Sequence, residues 1–285
     1  MMSKEQKEFI KKYKLNKIII FGIQILIVCV FLITWELLSR RNIINSFIFS
    51  RPTIIVNTIY EMYLGGELFK HIWISVYETL IAFGIGLILS IGISILLYLY
   101  NNLYKVMDPF LTCLNSLPKV ALGPMIIIIT GANIKSIVLM AVLINIIVST
   151  IVITNGFYGT DRVRLKLMKT FGASKYQILK YLVIPSNYKT IISSFKLNIS
   201  MSMIGVITGE FLVSQKGLGY LIIYGTQVFN LNLVISGILL LVVISYVLYK
   251  IVEIMEKILL SLWRKHIKMF SFFDIILYSR WLYEW

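Results

Sequence analysis

Long apolar runs, separated by short polar segments, make up most of this chain. About 20 consecutive apolar residues are enough for a helix to cross a bilayer. Six runs reach that length, at residues 18–38, 72–99, 109–130, 134–155, 190–213 and 232–255. The pattern therefore predicts an all-α, polytopic membrane protein with about six transmembrane helices.

Two of these runs contain residues that modify a helix. Pro118, Gly123 and Pro124 interrupt the third run, and broken helices at membrane depth persist only where protein or a water-filled cavity covers the freed backbone groups. We therefore expect this run inside the helix bundle or along a solute pathway. The fifth run carries Gly205 and Gly209, a spacing that lets two helix backbones approach closely. It predicts tight packing rather than a function.

Composition and charge support the membrane assignment. Hydrophobic residues form 58% of the chain and charged residues only 14%, with a mean hydropathy of +0.85, values outside the range of ordinary soluble domains. The net charge of +15 does not indicate a nucleic-acid partner, because the basic residues lie between apolar runs rather than on a soluble, aromatic-interleaved surface. The expected surroundings are therefore the lipid bilayer.

The positions of the lysines and arginines predict the orientation. With the N-terminus in the cytoplasm, twenty of the 28 positive residues fall in internal segments and six in external ones. Positive residues are enriched on the cytoplasmic side of membrane proteins. We therefore expect a multi-pass protein of the bacterial plasma membrane with both termini in the cytoplasm. The last twenty residues, which include Trp281 and Trp285, are expected to form a short amphipathic tail at the interface.

Motifs for chemistry are missing from the sequence. It contains no G-x-x-x-x-G-K-[ST] phosphate loop, no H-E-x-x-H and no G-x-S-x-G. The two cysteines, Cys29 and Cys113, lie in or beside apolar runs, and the two histidines, His71 and His266, lie near segment ends. We expect no enzyme activity, no metal and no cofactor bound by this chain, so the energy for any work would come from elsewhere.

Ionisable residues within apolar runs are costly to insert and are functional candidates by default. They are Glu36, Glu78, Lys119, Lys196, Glu210 and Glu253. The residues near run ends, Glu36, Lys196 and Glu253, are expected to reach the interface. For Glu78 and Glu210 the sequence favours structural pairing with a buried polar group over a proton relay.

A polar, cationic segment lies between the fourth and fifth runs. Wound as a helix, residues 162–171 place Val163, Leu167, Met168 and Phe171 on one side, and Arg162, Lys166, Lys169 and Thr170 on the other. Gly172 is expected to end this helix in a left-handed turn.

A second short helix should follow the glycine corner. Ser174 and Gln177 have the spacing of a capping box, Ile178, Leu179, Leu182 and Val183 share one face, and Pro185 should stop the helix. From the residues alone, two interpretations stay open for the whole segment. It is either an interfacial helix pair that binds acidic lipid or an element that docks into a partner protein.

The run from Lys166 to Pro185 resembles the EAA loop of binding-protein-dependent ABC importer permeases. Other stretches resemble the nitrate, sulfonate and taurine subfamily, namely Asp108-Pro-Phe, Leu117-Pro-Lys-Val-Ala-Leu-Gly-Pro124, Gly209-Glu-Phe-Leu-Val and Lys216-Gly-Leu-Gly-Tyr-Leu-Ile222. The resemblance covers residues 45–262. It departs from the family where Lys166-Leu167-Met168 replaces E-A-A and where an external L-P-x-P becomes Phe49-Ser50-Arg51-Pro52.

The resemblance implies a type I ABC importer permease fold and a set of partners. These are a separate ABC ATPase subunit, which would use ATP and magnesium, an extracellular or periplasmic solute-binding protein, and a second permease subunit in a homodimer. The implied division is an N-terminal segment with the first helix (1–44), a permease domain (45–262) with an EAA-like loop (161–188), and the tail (263–285). The implied solute is a sulfonate, nitrate, taurine or a thiamine-precursor pyrimidine.

Two groups of candidate site residues result. Those expected to contact the ATPase are Lys166, Lys169, Gly172, Ala173, Ser174 and Pro185. Those expected along the pathway are Pro118, Asn145, Asn198, Ser202 and Thr208, although the four polar ones could equally form hydrogen bonds between helices. The rival functions are a secondary transporter or channel that needs no ATPase, and a membrane scaffold without a pathway.

Overall fold

The structure, a computed structural model, describes residues 4–282, and the side chains of residues 11–13 and 15–263. No strand occurs in this range, which confirms the all-α prediction. The helices are α1 Lys4–Arg40, α2 Ser46–Phe49, α3 Pro52–Leu64, α4 Glu67–Leu99, α5 Asn101–Ser116, α6 Gly123–Thr130, α7 Ile134–Tyr158, α8 Arg162–Thr170, α9 Lys175–Ile178, α10 Ile184–Ser186, α11 Tyr188–Val213, α12 Leu218–Gln227 and α13 Leu231–Leu282. The side chains on which the amphipathic tail depends, including Trp281 and Trp285, lie outside the described ones.

Within the described part of the chain, five helices are long and apolar enough to cross a membrane, and a bent pair supplies a sixth candidate. The five are α1, α4, α7, α11 and α13 up to Trp263. The sixth joins α5 to a 3₁₀ turn and α6 over residues 119–130 at an angle of 92°. Leu117 is extended at this bend, with ψ of 141°, because a following proline disfavours the helical conformation. The predicted break at Pro118 is confirmed.

One compact unit comprises Met1–Leu68 and Ile222–Ile238. The apolar window of α1 has no buried residue, as expected for a helix that faces lipid. Near its end, Glu36 accepts a hydrogen bond from Arg40 Nε at 2.6 Å and one from Thr53 Oγ1 at 3.0 Å. Glu36 is thus paired within this unit, and Pro52 begins α3, where its missing N–H costs no helical hydrogen bond.

The second unit comprises Phe69–Leu221 and Leu239–Trp285, and its most extensive helix contact is between α7 and α11. A Cβ at Gly205 would overlap the backbone of Ala141, and one at Gly209 would lie 3.0 Å from Ile137 Cα. The two glycines therefore let the helix backbones approach to contact. The predicted role of this glycine spacing is confirmed.

Ion pairs within the second unit account for two further charged residues. Lys196 Nζ lies 2.8 Å from Glu256 Oε2, which joins α11 to α13. Glu253 lies between Lys250, at 2.6 Å, and Lys257, at 2.7 Å, all on α13. The charged side chains near these helix ends are therefore compensated by neighbours of opposite sign.

Candidate functional site

The first helix of the polar segment begins and ends at identifiable residues. Asp161 caps α8, because its carboxylate accepts a hydrogen bond from the Val163 N–H at 2.9 Å. The helix ends at Thr170, and Gly172 follows with φ of +75°. A left-handed conformation of this kind favours glycine. The predicted glycine corner is confirmed.

The second helix begins with the predicted capping box. Ser174 Oγ accepts from the Gln177 N–H at 3.3 Å, and Gln177 Oε1 accepts from the Ser174 N–H at 2.7 Å. The helix then runs through α9, a π-helical turn over Leu179–Val183 and α10.

Pro185 lies inside this helical run, and the stop predicted at this proline is wrong. The run ends at Ser186 and turns at Asn187 into α11. Ahead of the proline, the Ile184 N–H donates to the carbonyl of Leu179, five residues earlier. In a regular α-helix the proline ring would collide with the carbonyl of the preceding turn. The wider π turn moves that carbonyl away from the ring.

The underside of this loop, residues 161–186, packs on the ends of α4 and α7. The second helix contributes Ile178, Leu179 and Val183 to a buried cluster that also contains Tyr98, Ile153 and Phe157. Leu165 and Met168 of α8 and Ala173 of the corner pack against the same cluster. The four residues predicted to share one face of the second helix, Ile178, Leu179, Leu182 and Val183, therefore all lie on its packed side.

The apolar side that helical winding predicts for α8 is mostly exposed in the structure. Val163, Leu167 and Phe171 are 74%, 55% and 78% exposed, and only Met168 packs inward. The helix is rotated so that Leu165, rather than Leu167, faces the cluster, because Leu165 and Met168 are three residues apart and point the same way. An apolar stripe with a four-residue spacing is left on the surface.

The contact candidates lie around this exposed stripe. Lys166, Lys169, Gly172 and Ser174 are exposed, and Ala173 and Pro185 are partly buried. A cavity of about 490 Å³ opens beside them, between the loop and the ends of α4 and α7. Lys169 and Lys175 line it together with Asn101 and Tyr158. The loop thus presents apolar and cationic groups side by side.

A hydrogen bond that the sequence reasoning missed joins the two ends of the loop. Asn187, after the second helix, donates from Nδ2 to Thr160 Oγ1 at 2.8 Å and to the Val183 carbonyl at 2.9 Å. Both side chains are buried. An asparagine next to a helix break was a usable signal, because its short amide readily bonds nearby backbone, but the sequence does not show its distant partner.

Three of the pathway candidates are fully buried and bonded to one another between α7 and α11. Asn145 Nδ2 donates to Ser202 Oγ at 2.6 Å and to the Ala82 carbonyl of α4 at 3.0 Å. Asn198 Nδ2 donates to Ser149 Oγ at 3.1 Å, and Ser202 lies 3.4 Å from Asn198 Oδ1. These contacts are hydrogen bonds between helices, the role that the sequence analysis gave as the alternative to lining a pathway.

The other two candidates lie apart from that network. Thr208 bonds the carbonyl of Ile204 in its own helix at 2.7 Å, and Pro118 is exposed at the 92° bend. Lys119, beside it, is held by Asn115, whose carbonyl and side-chain oxygens are both 3.2 Å from Nζ. A pathway role for all five candidates stays a prediction.

The sequence pattern of the binding-protein-dependent transport system inner membrane component family matches residues 83–264. The chain belongs to this family. It is therefore a membrane permease and not an enzyme, and the match includes the whole loop, both of its ends and helices α7 and α11.

Similar proteins agree with the family assignment. The chain is 26% identical over 240 residues to SsuC of Bacillus subtilis, a permease protein assigned to aliphatic sulfonates transport, covering 84% of this chain and 87% of that protein. It is 26% identical over 234 residues to the formylaminopyrimidine transport permease protein ThiX of Halalkalibacterium halodurans, covering 82% and 92%.

A solved structure shares the fold. The match is to a chain of the MetNI methionine ABC transporter in an inward-facing conformation, with a TM-score of 0.60 and 14% identity over 69% of this chain and 97% of that one. At this identity the likeness concerns the fold alone. The permease therefore has the fold of a type I ABC importer permease.

Proposed function

We propose that this permease couples solute import to ATP hydrolysis by a separate ABC ATPase subunit, which docks on the loop of residues 161–186. The observation that carries the proposal is the division of the loop into two faces. One face is packed into the protein, and the other exposes Val163, Leu167 and Phe171. Exposed apolar side chains in a contiguous stripe are typical of an interaction site.

The packed face gives the loop a mechanical connection to the transmembrane helices. Its second helix rests on Tyr98 at the end of α4 and on Phe157 at the end of α7. Close-packed interfaces shift between discrete arrangements instead of deforming continuously. A movement of the ATPase would therefore be passed to α4 and α7 as a displacement of the whole loop, whose ends are held together by Asn187 and Thr160.

The charge of the loop supports a docking partner with an acidic surface. Lys166 and Lys169 are exposed beside the apolar stripe, and Lys175 lies across the corner. Arg164 is partly compensated by Asp161 at 3.4 Å. A complementary partner groove would be apolar at its centre, to receive Phe171, and acidic at its rim, to meet Lys166, where the family pattern has a glutamate.

The remaining parts of the importer follow from the family and its relatives. A solute-binding protein would deliver the solute on the external face, and a second copy of the permease would complete the pathway, with both termini in the cytoplasm. The relatives named above transport aliphatic sulfonates and a formylaminopyrimidine. We therefore place the solute among small polar organic molecules of the sulfonate, taurine and thiamine-precursor types, together with nitrate.

Co-purification tests the coupling. A tagged permease extracted in mild detergent should carry with it a subunit that contains the G-x-x-x-x-G-K-[ST] motif, identified by mass spectrometry. Phe171→Ser should reduce the amount at least tenfold, because central aromatic side chains dominate the binding energy of interfaces. Phe229→Ser is the matched control, since Phe229 is 76% exposed but lies outside the loop, and it should retain the subunit.

Two results would contradict the proposal. One is a wild-type permease that takes up solute while no phosphate-loop subunit accompanies it, which is the behaviour of a secondary transporter or channel. The other is equal recovery of the ATPase subunit with Phe171→Ser and wild type.

A further inference from the structure

A buried polar cluster in the second unit joins α4, the end of α11 and the start of α12. Ser75 and Glu78 lie on α4, Glu210 lies on α11, and Gly219 lies in the first turn of α12. The side chains of Ser75 and Glu78 are 0% exposed and that of Glu210 is 1% exposed. The loop, its docking surface and the α7–α11 network do not use this cluster.

Glu210 has the surroundings of an ionised carboxylate. Its Oε1 accepts a hydrogen bond from Ser75 Oγ at 2.5 Å, and its Oε2 accepts one from the Gly219 N–H at 2.5 Å. A carboxylate that accepts hydrogen bonds at both oxygens is stabilised in its ionised form. Ser75 Oγ in turn accepts from the Leu218 N–H at 2.8 Å, so both Glu210 oxygens and the Ser75 hydroxyl are satisfied.

Glu78, in contrast to Glu210, has no hydrogen-bond partner at either oxygen within the described part of the chain. Glu78 lies one turn along α4 from Ser75, which donates a hydrogen bond to Glu210, so the two carboxyl groups share one buried face of α4. Among the described residues, no lysine or arginine pairs with either glutamate. Two adjacent buried carboxylates cannot both be ionised without compensation, so the pair needs a proton or another cation to neutralise one of them.

We propose that the Glu78–Glu210 pair is a proton-binding site, in which Glu78 holds the proton and donates it to ionised Glu210. A protonated carboxyl supplies the one donor that the cluster lacks, and it gives the orphaned Glu78 a partner. The pair then carries a single negative charge, which Ser75 and the Gly219 N–H already stabilise. The inference is independent of the proposed ATPase coupling.

The packing around Glu210 favours a proton over a metal ion. A Cβ at Gly217 would overlap the Glu210 carboxylate, and one at Gly219 would lie 2.9 Å from Glu210 Oε2. The backbone therefore fills the space in which a metal ion and its further ligands would have to lie. In the part of the chain that the structure describes, no group of three or more histidine, cysteine or acidic side chains could hold a metal ion.

The proton makes the attachment of the segment between α11 and α12 depend on pH. This segment is fastened to α4 through Ser75 and through His71, whose Nδ1 lies 3.0 Å from the Gly217 nitrogen. Tyr220, whose ring stacks on His71 at 5.9 Å, is a further titratable side chain beside the cluster. Loss of the Glu78 proton as the pH rises would set two carboxylates against each other and loosen the segment.

Infrared spectroscopy of the purified, full-length protein tests for the proton directly. At neutral pH the wild type should show the carbonyl band of a protonated carboxylic acid, shifted in D₂O, and Glu78→Gln should remove it. Glu256→Gln is the matched control, because Glu256 is also buried but is paired with Lys196, and it should keep the band. Absence of the band from the wild type, or its persistence in Glu78→Gln, would overturn the proposal.

Thermal unfolding against pH gives a second measurement. The wild type should lose stability as the pH rises, whereas Glu78→Gln, which can still donate to Glu210 from its amide but cannot ionise, should lose much less. Because His71 and Tyr220 are present in both proteins, the difference between the two stability curves gives the contribution of Glu78 alone. The proposal is overturned if the stability curves of the wild type and of Glu78→Gln stay parallel as the pH changes. It is also overturned if sodium or magnesium stabilises the wild type relative to a choline control and this stabilisation disappears in Glu78→Gln, because the ligand would then be a metal ion.

Discussion

Asn187 donates a hydrogen bond to Thr160 Oγ1 at 2.8 Å, across 27 residues of sequence, and thereby closes the base of the candidate docking loop. Thr160 precedes the first helix of the loop, and Asn187 follows its last. The bond is buried, so water does not compete for it. The loop is therefore one element held at both ends.

The first prediction concerns this closure. Asn187→Ala removes the side-chain bonds to Thr160 and to the Val183 carbonyl, and it should cost about 1–2 kcal/mol of unfolding free energy, because two buried hydrogen bonds are lost. Denaturation in detergent measures it. Thr160→Val removes the shared bond from the other side. The double variant should therefore cost less than the sum of the two single variants, and strict additivity would show that the two residues are not coupled.

The second prediction concerns the close approach of α7 and α11. Gly205→Ala places a methyl group onto the backbone of Ala141 and should destabilise the protein by about 1–3 kcal/mol, the usual cost of overpacking. Gly84→Ala is the matched control on α4, where a Cβ would meet nothing within 4 Å, and it should be neutral or slightly stabilising. Thermal unfolding of both variants decides the matter, and equal stability would refute the close-packing role.

Sequence patterns were sufficient for the helices and for their local ends. The six apolar runs, the break at Pro118, the turn at Gly172 and the box of Ser174 with Gln177 all depend on neighbours within a few residues. Such features are encoded locally, by run length, by proline and glycine conformation and by capping. They could therefore be predicted before the structure was known.

Features that depend on the rotation of a helix or on distant partners could not be predicted. Helical winding separates the apolar from the cationic side of α8 but does not show which residues pack, and in the structure Phe171 is exposed and Leu165 packs. A surface that binds a partner can be as apolar as a packed one, so hydrophobicity alone does not determine how the helix is rotated. The bonds of Asn145 to Ser202 and of Asn187 to Thr160 likewise link residues whose proximity is created only by folding.

The third prediction concerns orientation. In a chain whose Cys29 and Cys113 are replaced by serine, Lys169→Cys should react with a membrane-impermeant thiol reagent only after the cells are permeabilised. Lys216→Cys should react in intact cells, because the charge distribution places it outside. Both lysines are exposed in the folded chain. Labelling of Lys169→Cys in intact cells would reverse the predicted topology and remove the loop from the side where an ATPase works.

The fourth prediction concerns the glycine corner. Gly172→Val adds a side chain at φ of +75° with no protein atom within 4 Å, so it should strain the turn by about 1–2 kcal/mol and project into the partner's groove. The protein should still insert, and recovery of the ATPase subunit should fall at least tenfold. Gly66→Val is a matched control, with φ of +72° and the same open surroundings, and it should leave recovery unchanged. Normal recovery with Gly172→Val would remove the corner from the docking surface.

Photo-crosslinking from position 171 tests the central claim most directly. With p-benzoylphenylalanine in place of Phe171, irradiation of intact cells should join the permease to a subunit that contains a phosphate-loop motif. The same probe in place of Phe229, another exposed phenylalanine, should not. Crosslinks from position 171 to lipid alone, with no phosphate-loop subunit among the products, would contradict the docking role and return the loop to a membrane-surface element.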